Sequence, residues 1–212
     1  METKLLAAVW KLNLLGVRAS HDRIGQETEC ISIDLEDRLH KLVESGLLKK
    51  DNDAYMLTPL GRKKLRIVMA GGVFDILHPG HVFFLEKAKE KGDVLVVIVA
   101  RDSTVTKRKR IPVVPEEQRV DMVAALKPVD VALLGEEDDI YATVEKIKPD
   151  VIALGPDQTH REEDIKEELK RRGLHCEVVR ISEYRECKLH STRSILQRII
   201  ELNYPDRRLE KK

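Results

Sequence analysis

Cysteine, amides and long apolar runs are all scarce in this 212-residue chain. Three cysteines, Cys30, Cys176 and Cys187, are too few and too scattered for a disulfide framework or a zinc site. No apolar run approaches the roughly 20 residues a membrane-spanning helix needs. Mean hydropathy is −0.33, so no membrane partner is expected. The start, Met1-Glu2-Thr3-Lys4, leads into an amphipathic segment without a signal-peptide pattern, and the cytoplasm is the expected compartment. Charge of one sign is missing too. With 38 basic against 37 acidic residues, no global field draws the protein to nucleic acid or membrane. The amides are Asn13, Asn52, Asn203, Gln26, Gln118, Gln158 and Gln197, against 35% charged residues, a balance found in proteins that work hot. What is present is 42% hydrophobic residues, enough for a packed core and too many for a disordered or collagen-like chain. The length suits one domain plus a small module.

The pattern changes near residue 65, giving a predicted module over 1–64 and a larger domain over 65–212. In the module, Leu5, Leu6, Val9, Leu12 and Leu15 follow a helical period that Gly16 closes. Ser20 caps a second short helix towards Glu27, and Ile31, Leu35, Leu39, Leu42 and Val43 mark a third over 31–45. Leu47–Lys50 and Tyr55–Leu57 flank the turn Asp51-Asn52-Asp53-Ala54, a hairpin. Three helices and a hairpin, closing with Leu57-Thr58-Pro59-Leu60-Gly61-Arg62, resemble a winged helix-turn-helix module. The expected third helix carries four acids (Asp34, Glu36, Asp37, Glu44) against Arg38 and Lys41. DNA binding is therefore not favoured, and docking or dimerisation is the expected role.

From residue 66, short apolar runs alternate with amphipathic helices. The runs are Ile67–Ala70, Val94–Ala100, Val129–Leu134, Val151–Leu154 and Cys176–Ile181. Helices are predicted over 80–91, 116–126, 139–147, 161–172 and 191–202. Such alternation predicts an α/β, Rossmann-like, doubly wound sheet of five parallel strands in the order 3-2-1-4-5. Ligands in such a sheet bind beyond the carboxyl ends of the strands, where the first and fourth lie side by side. The turns at 71–81 and 155–158 are thus expected to face one crevice.

The first strand-to-helix turn reads Gly71-Gly72-Val73-Phe74-Asp75-Ile76-Leu77-His78-Pro79-Gly80-His81. It is neither G-x-G-x-x-G nor G-x-x-x-x-G-K-[ST]. Its glycines let backbone approach a ligand, and Pro79 fits the first turn of a helix. His78 and His81, three apart, share one face of that helix start beside unpaired N–H groups and the positive dipole end. Two imidazoles there suit the charge that builds on a phosphate under attack. Arg101 to Arg110 brings five basic residues after the second strand, and Ser191-Thr192 opens the last helix, where it can cap or bind phosphate.

Gly72-Val73-Phe74-Asp75-Ile76-Leu77-His78-Pro79-Gly80-His81 resembles the GTFDxxHxGH signature of nucleotidylyltransferases, with Val73 in place of the usual threonine. Four further segments resemble the archaeal type of FAD synthase: Ile98–Asp102, Pro115–Arg119, Ala125–Asp130 and Lys148–Asp150 through Leu154–Gln158. That resemblance implies ATP as adenylyl donor, FMN as acceptor, and a divalent metal, with Mg²⁺ the expected ion. It implies His78, His81 and Lys107 as catalytic residues. It implies Val73, Phe74, Pro79, Gly80, Asp157, Tyr184, Ser191 and Thr192, with both histidines, as ATP contacts. Asp75 and Arg119 fall on the acceptor side, no residue is assigned as a metal ligand, and a homodimer is expected. Cytidylyltransferases acting on glycerol phosphate are the nearest alternative. They carry Arg-Thr-x-Gly before the Ser-Thr pair and a tryptophan after the loop aspartate. Here Arg185-Glu186-Cys187-Lys188-Leu189-His190 precedes Ser191, Gln158 follows Asp157, and the one tryptophan is Trp10. A nucleotide-sensing transcriptional regulator is a third alternative, disfavoured by two intact histidines that binding alone does not need.

Overall fold

The structure, a computed structural model, describes residues 1–30, 32–107, 111–137, 139–158 and 161–204. Ile31, Arg108, Lys109 and Arg110, used above, lie outside them. The chain divides into two compact units. One comprises Met1–Ile67 with Gly92–Val94, and the other Val68–Lys91 with the chain from Leu95 on.

The first unit holds α1 (Glu2–Leu14), α2 (His21–Thr28), α3 (Ser32–Glu44), the strands β1 (Leu48–Asp51) and β2 (Ala54–Leu57), and α4 (Pro59–Arg62). Leu5, Leu6, Val9 and Leu12 are buried on one face of α1, with Ile24, Leu35 and Leu39 from the next two helices. Leu15, expected to continue that face, is 42% exposed because the helix has ended. The hairpin is tighter than expected. Asp51 pairs with Ala54, and Asn52 takes the positive φ of 55° that a two-residue turn demands. Ser20 accepts from the Arg23 N–H as the cap of α2. Thr58 caps α4 from the Gly61 N–H at 3.1 Å. Gly61 has no alternative, since a Cβ there would lie 2.1 Å from the Leu47 carbonyl oxygen.

The second unit is built on β3 (Ile67–Gly72), β4 (Val94–Val99), β5 (Val131–Leu134), β6 (Val151–Leu154) and β7 (Glu177–Arg180). Their order is β5-β4-β3-β6-β7, the expected 3-2-1-4-5, in a parallel sheet. Helices α5 (Pro79–Lys89), α7 (Glu116–Ala124), α8 (Ile140–Ile147) and α9 (Glu162–Arg171) connect the strands, and α10 (Thr192–Asn203) follows β7. Val68, Ala70, Leu95, Val97, Val99, Val151 and Ala153 pack with Phe84, Leu85 and Ala88 of α5 and Val123 of α7. Continuous apolar strands are what a sheet covered on both faces requires.

In this unit one helix is not among those predicted. Asp102–Lys107 forms α6 inside the segment read as a basic loop. Its start is satisfied from far along the chain: the Asp102 N–H donates to Glu116 Oε2 at 2.5 Å, while the Glu116 N–H donates to Asp102 Oδ2 at 3.3 Å. Each carboxylate caps the other's helix, a pairing no local pattern reveals. Among the described residues no helix is long and apolar enough to cross a membrane.

Candidate active site

The chain leaves β3 at Gly72 and must turn at once into α5. Phe74 takes a left-handed backbone, φ 50°, and its ring folds back beneath the turn to 2% exposure. A Cβ on Gly72 would lie 2.8 Å from that ring, so the close approach requires glycine. His78 then sits at the N-cap of α5 with Pro79 at its first position. The N-cap side chain makes no capping bond, and the His81 N–H donates instead to the His78 carbonyl at 2.9 Å.

The two histidines stack, ring centroids 3.8 Å apart and planes 26° from parallel. The Phe74 ring tilts against His81 at 5.2 Å. His78 Nδ1 is buried and, among the described residues, without a hydrogen-bond partner, an arrangement that costs free energy until a ligand supplies one. Burial pushes the His78 pKa down, His190 pushes the same way, and Asp157 opposes them. His78 is thus held neutral near pH 7 in the free protein, ready for an incoming phosphate to favour its charged form.

The turn after β6 meets the same place. Gln158 Nε2 donates to the Gly71 carbonyl at 2.6 Å, tying residues 155–158 to the end of β3. Arg180 donates to the carbonyls of Gly155 and Gln158 at 2.8 and 3.0 Å. The two turns expected to lie together therefore meet at the end of β3. His190 arrives beside Gly80, its carbonyl oxygen 3.8 Å from where a Gly80 Cβ would stand. Ser191 caps α10 in a reciprocal capping box with Ser194.

Three expected residues are placed differently. Arg119 is wholly buried. Its Nε donates to the Val114 carbonyl at 2.9 Å, its Nη1 to the Val73 carbonyl, and its Nη2 pairs with Asp102 Oδ1 at 2.5 Å. Asp75, 2% exposed, accepts from the Val113 and Val114 N–H groups at 2.8 and 3.0 Å. Both lie under the crevice, locking its walls, rather than on its acceptor side. Tyr184 is 68% exposed, with no hydrogen bond or ring contact among the described residues. Lys107 ends α6 at the surface.

Sequence reasoning missed Asp102 and Glu116 as site builders. Arg101 donates to the Gly135 carbonyl at 2.8 Å and to Glu116 at 3.0 Å, completing the network around Arg119. Only the acids at 116 and 117, readable as dipole partners of a helix start, gave any signal. Asp130, inside a segment that carries the family resemblance, accepts from the Leu95 N–H at 2.6 Å and binds strand ends.

Residues 69–198 match the cytidylyltransferase-like family, and the match includes the whole His78–His81 turn. The chain belongs to that family. Within it, the chain is 57% identical over 141 residues to an FAD synthase of Methanothermus fervidus, covering 65% of this chain and 97% of the relative. It is 49% identical over 148 residues to an FAD synthase of Methanothermobacter marburgensis, covering 68% and 92%. A crystal structure described as a lipopolysaccharide core biosynthesis protein from Thermoplasma volcanium superposes with a TM-score of 0.56 at 45% identity. It covers 57% of this chain and 99% of its own. The cytidylyltransferase-like match begins at residue 69, so the helical unit that precedes it lies outside that match.

Proposed function

We propose that the chain is an FAD synthase, transferring AMP from ATP to FMN and releasing pyrophosphate. The observation that carries this reading is the stacked His78–His81 pair, with an unsatisfied Nδ1, at the start of α5 in a chain so close to FAD synthases. A phosphate oxygen of FMN attacks the α-phosphorus of ATP in line; the new O–P bond forms as the bond to the β-phosphate bridging oxygen breaks. His78 and His81 donate to the transferring phosphate and stabilise its growing charge. The N–H groups of Val73 and Phe74 hold the phosphates, with Pro79 fixing the helix start and Gly80 leaving room for them. Ser191 and Thr192 add donors at the start of α10, Asp157 orients the nucleotide, and Lys107 and Tyr184 reach in when ATP is bound. Asp75 and Arg119 serve by holding the walls. No covalent nucleophile is needed.

A divalent ion, Mg²⁺ by expectation, would neutralise phosphate charge while held by the substrate phosphates. Among the described residues no group of three or more His, Cys, Asp or Glu gathers to hold a metal. We assign the first unit to the winged-helix type, a docking module of a cytoplasmic homodimer.

The test incubates purified protein and Mg²⁺ with ATP or CTP and with FMN or glycerol phosphate, and identifies products by mass. FAD and pyrophosphate from ATP and FMN support the reading. Product only from CTP and glycerol phosphate overturns it while leaving the fold as described.

A further inference from the structure

The buried guanidinium of Arg119 touches three segments that sequence keeps apart: Val73 after β3, Asp102 after β4, and Val114 before α7. A fully buried charge is tolerated only when paired and fully hydrogen-bonded, and here every contact is made to the floor of the crevice. The contact to Val73 has a geometric consequence. Every peptide bond of the described chain is trans, so the Val73 carbonyl and the Phe74 N–H point in opposite directions. Arg119 draws that carbonyl inward, which turns the Phe74 N–H outward. The turned peptide explains the left-handed φ of 50° at Phe74, a conformation a bulky residue adopts only when its surroundings impose it. Among the described residues the Phe74 N–H has no hydrogen-bond partner, and the Phe74 ring neighbours His81 at 5.2 Å.

We infer that Arg119 is a positioning residue: from below, it holds the Val73–Phe74 peptide turned so that the Phe74 N–H faces the phosphates of ATP. It touches no substrate. Asp102 anchors the guanidinium, and Glu116 anchors Asp102 through its N–H, so the three act as one brace. Such a donor is fixed before ligand arrives and costs no reorganisation during reaction. The inference rests on the adenylyl-transfer reading.

The test starts with the unmodified chain, ¹⁵N-labelled and titrated with α,β-methylene ATP. The Phe74 amide signal should move downfield on saturation. A stationary Phe74 signal among neighbours that shift overturns the inference alone. No shift anywhere, together with no FAD in the product assay, instead removes the functional reading and the inference with it. Placing phenyllactic acid at position 74 replaces the amide by an ester, which deletes the N–H and weakens the Val73 carbonyl as an acceptor for Arg119. That change should lower kcat roughly 10²-fold, the loss expected for one fixed donor, with only a small fall in melting temperature from the weaker carbonyl. An ester protein with wild-type turnover overturns the inference.

Arg119→Lys keeps the charge but replaces a planar fork by one ammonium. Its Phe74 signal should no longer respond to the analogue, and adding the ester should cost less than roughly threefold further, as coupled changes do. Asp102→Asn, which leaves the guanidinium but weakens its anchor, serves if Arg119→Lys does not fold. A folded variant of either kind with a wild-type Phe74 response, or one in which the ester still costs its full factor, makes Arg119 a structural ion pair only.

Discussion

Gly72→Ala puts the architecture of the turn to a quantitative test. The added Cβ would stand 2.8 Å from Phe74 Cε2, 3.0 Å from Cζ and 3.3 Å from Cδ2. Phe74 is 2% exposed and packed among core residues, so its ring cannot swing away freely. Overpacking of this kind costs about 1–3 kcal/mol. Alanine for glycine also restricts the unfolded chain, worth about 0.4–1 kcal/mol in the other direction. The clash lies below the range of ordinary contacts and presses on a buried ring, so the loss wins, with a net cost of up to about 2.6 kcal/mol. For a unit of this size, thermal melting should fall by up to roughly 10 °C. Function should suffer more. Phe74 packs against His81, and a displacement of a few tenths of an ångström there passes into the stacked pair, lowering kcat by roughly tenfold or more. Differential scanning calorimetry and FAD formation followed by chromatography provide the two readouts. Wild-type melting and wild-type turnover together would refute the claim that glycine is required by the ring.

His78→Ala and His81→Ala should each cut turnover by roughly 10²–10³-fold, measured as FAD produced, with far-ultraviolet circular dichroism unchanged; near-normal turnover in the double variant would make the pair structural. Glu168 is held down to about 2 by hydrogen bonds from Arg171 and Arg172. A carboxylate with a depressed native pKa stabilises above its ordinary value of 4.5 and loses that contribution as pH falls towards 2. Glu168→Gln should therefore melt earlier than wild type at pH 7 and alike near pH 2, and high salt should shrink the gap at pH 7. The outward side of α3 exposes Asp34, Glu36, Asp37 and Glu44, with Arg38 engaged by Asp34 at 2.8 Å. Fluorescence anisotropy with operator-like and random duplexes at about 150 mM salt should show weak binding only; tight, sequence-selective binding would reverse the assignment of this module.

Local chemistry was enough to read the strands of the larger unit, their order and the turn that bears the histidines. Each depends on near neighbours: Val94–Val99 is continuously apolar, Pro79 follows the N-cap histidine, and His78 and His81 are spaced to share a face. The same holds for α1, whose buried face follows the 3.6-residue period. The meeting of the two turns followed from topology, because strand alternation leaves few ways to wind a parallel sheet.

What only tertiary structure decided is how charged residues are used. The family resemblance put Arg119 and Asp75 on the acceptor side. Both are buried, since the three turns converging on the crevice leave carbonyls and N–H groups that only a charged side chain from a distant segment could satisfy. Glu116 looked like helix-dipole chemistry until Asp102, 14 positions earlier, was found capping its helix in return. The left-handed Phe74 was equally hidden: its own residue type argues against that conformation, and a guanidinium 45 positions along the chain from it supports it. Period and turn chemistry are short-range and legible in order along the chain. Long-range polar pairing depends on which segments the sheet brings together, and that is fixed only when the sheet has formed.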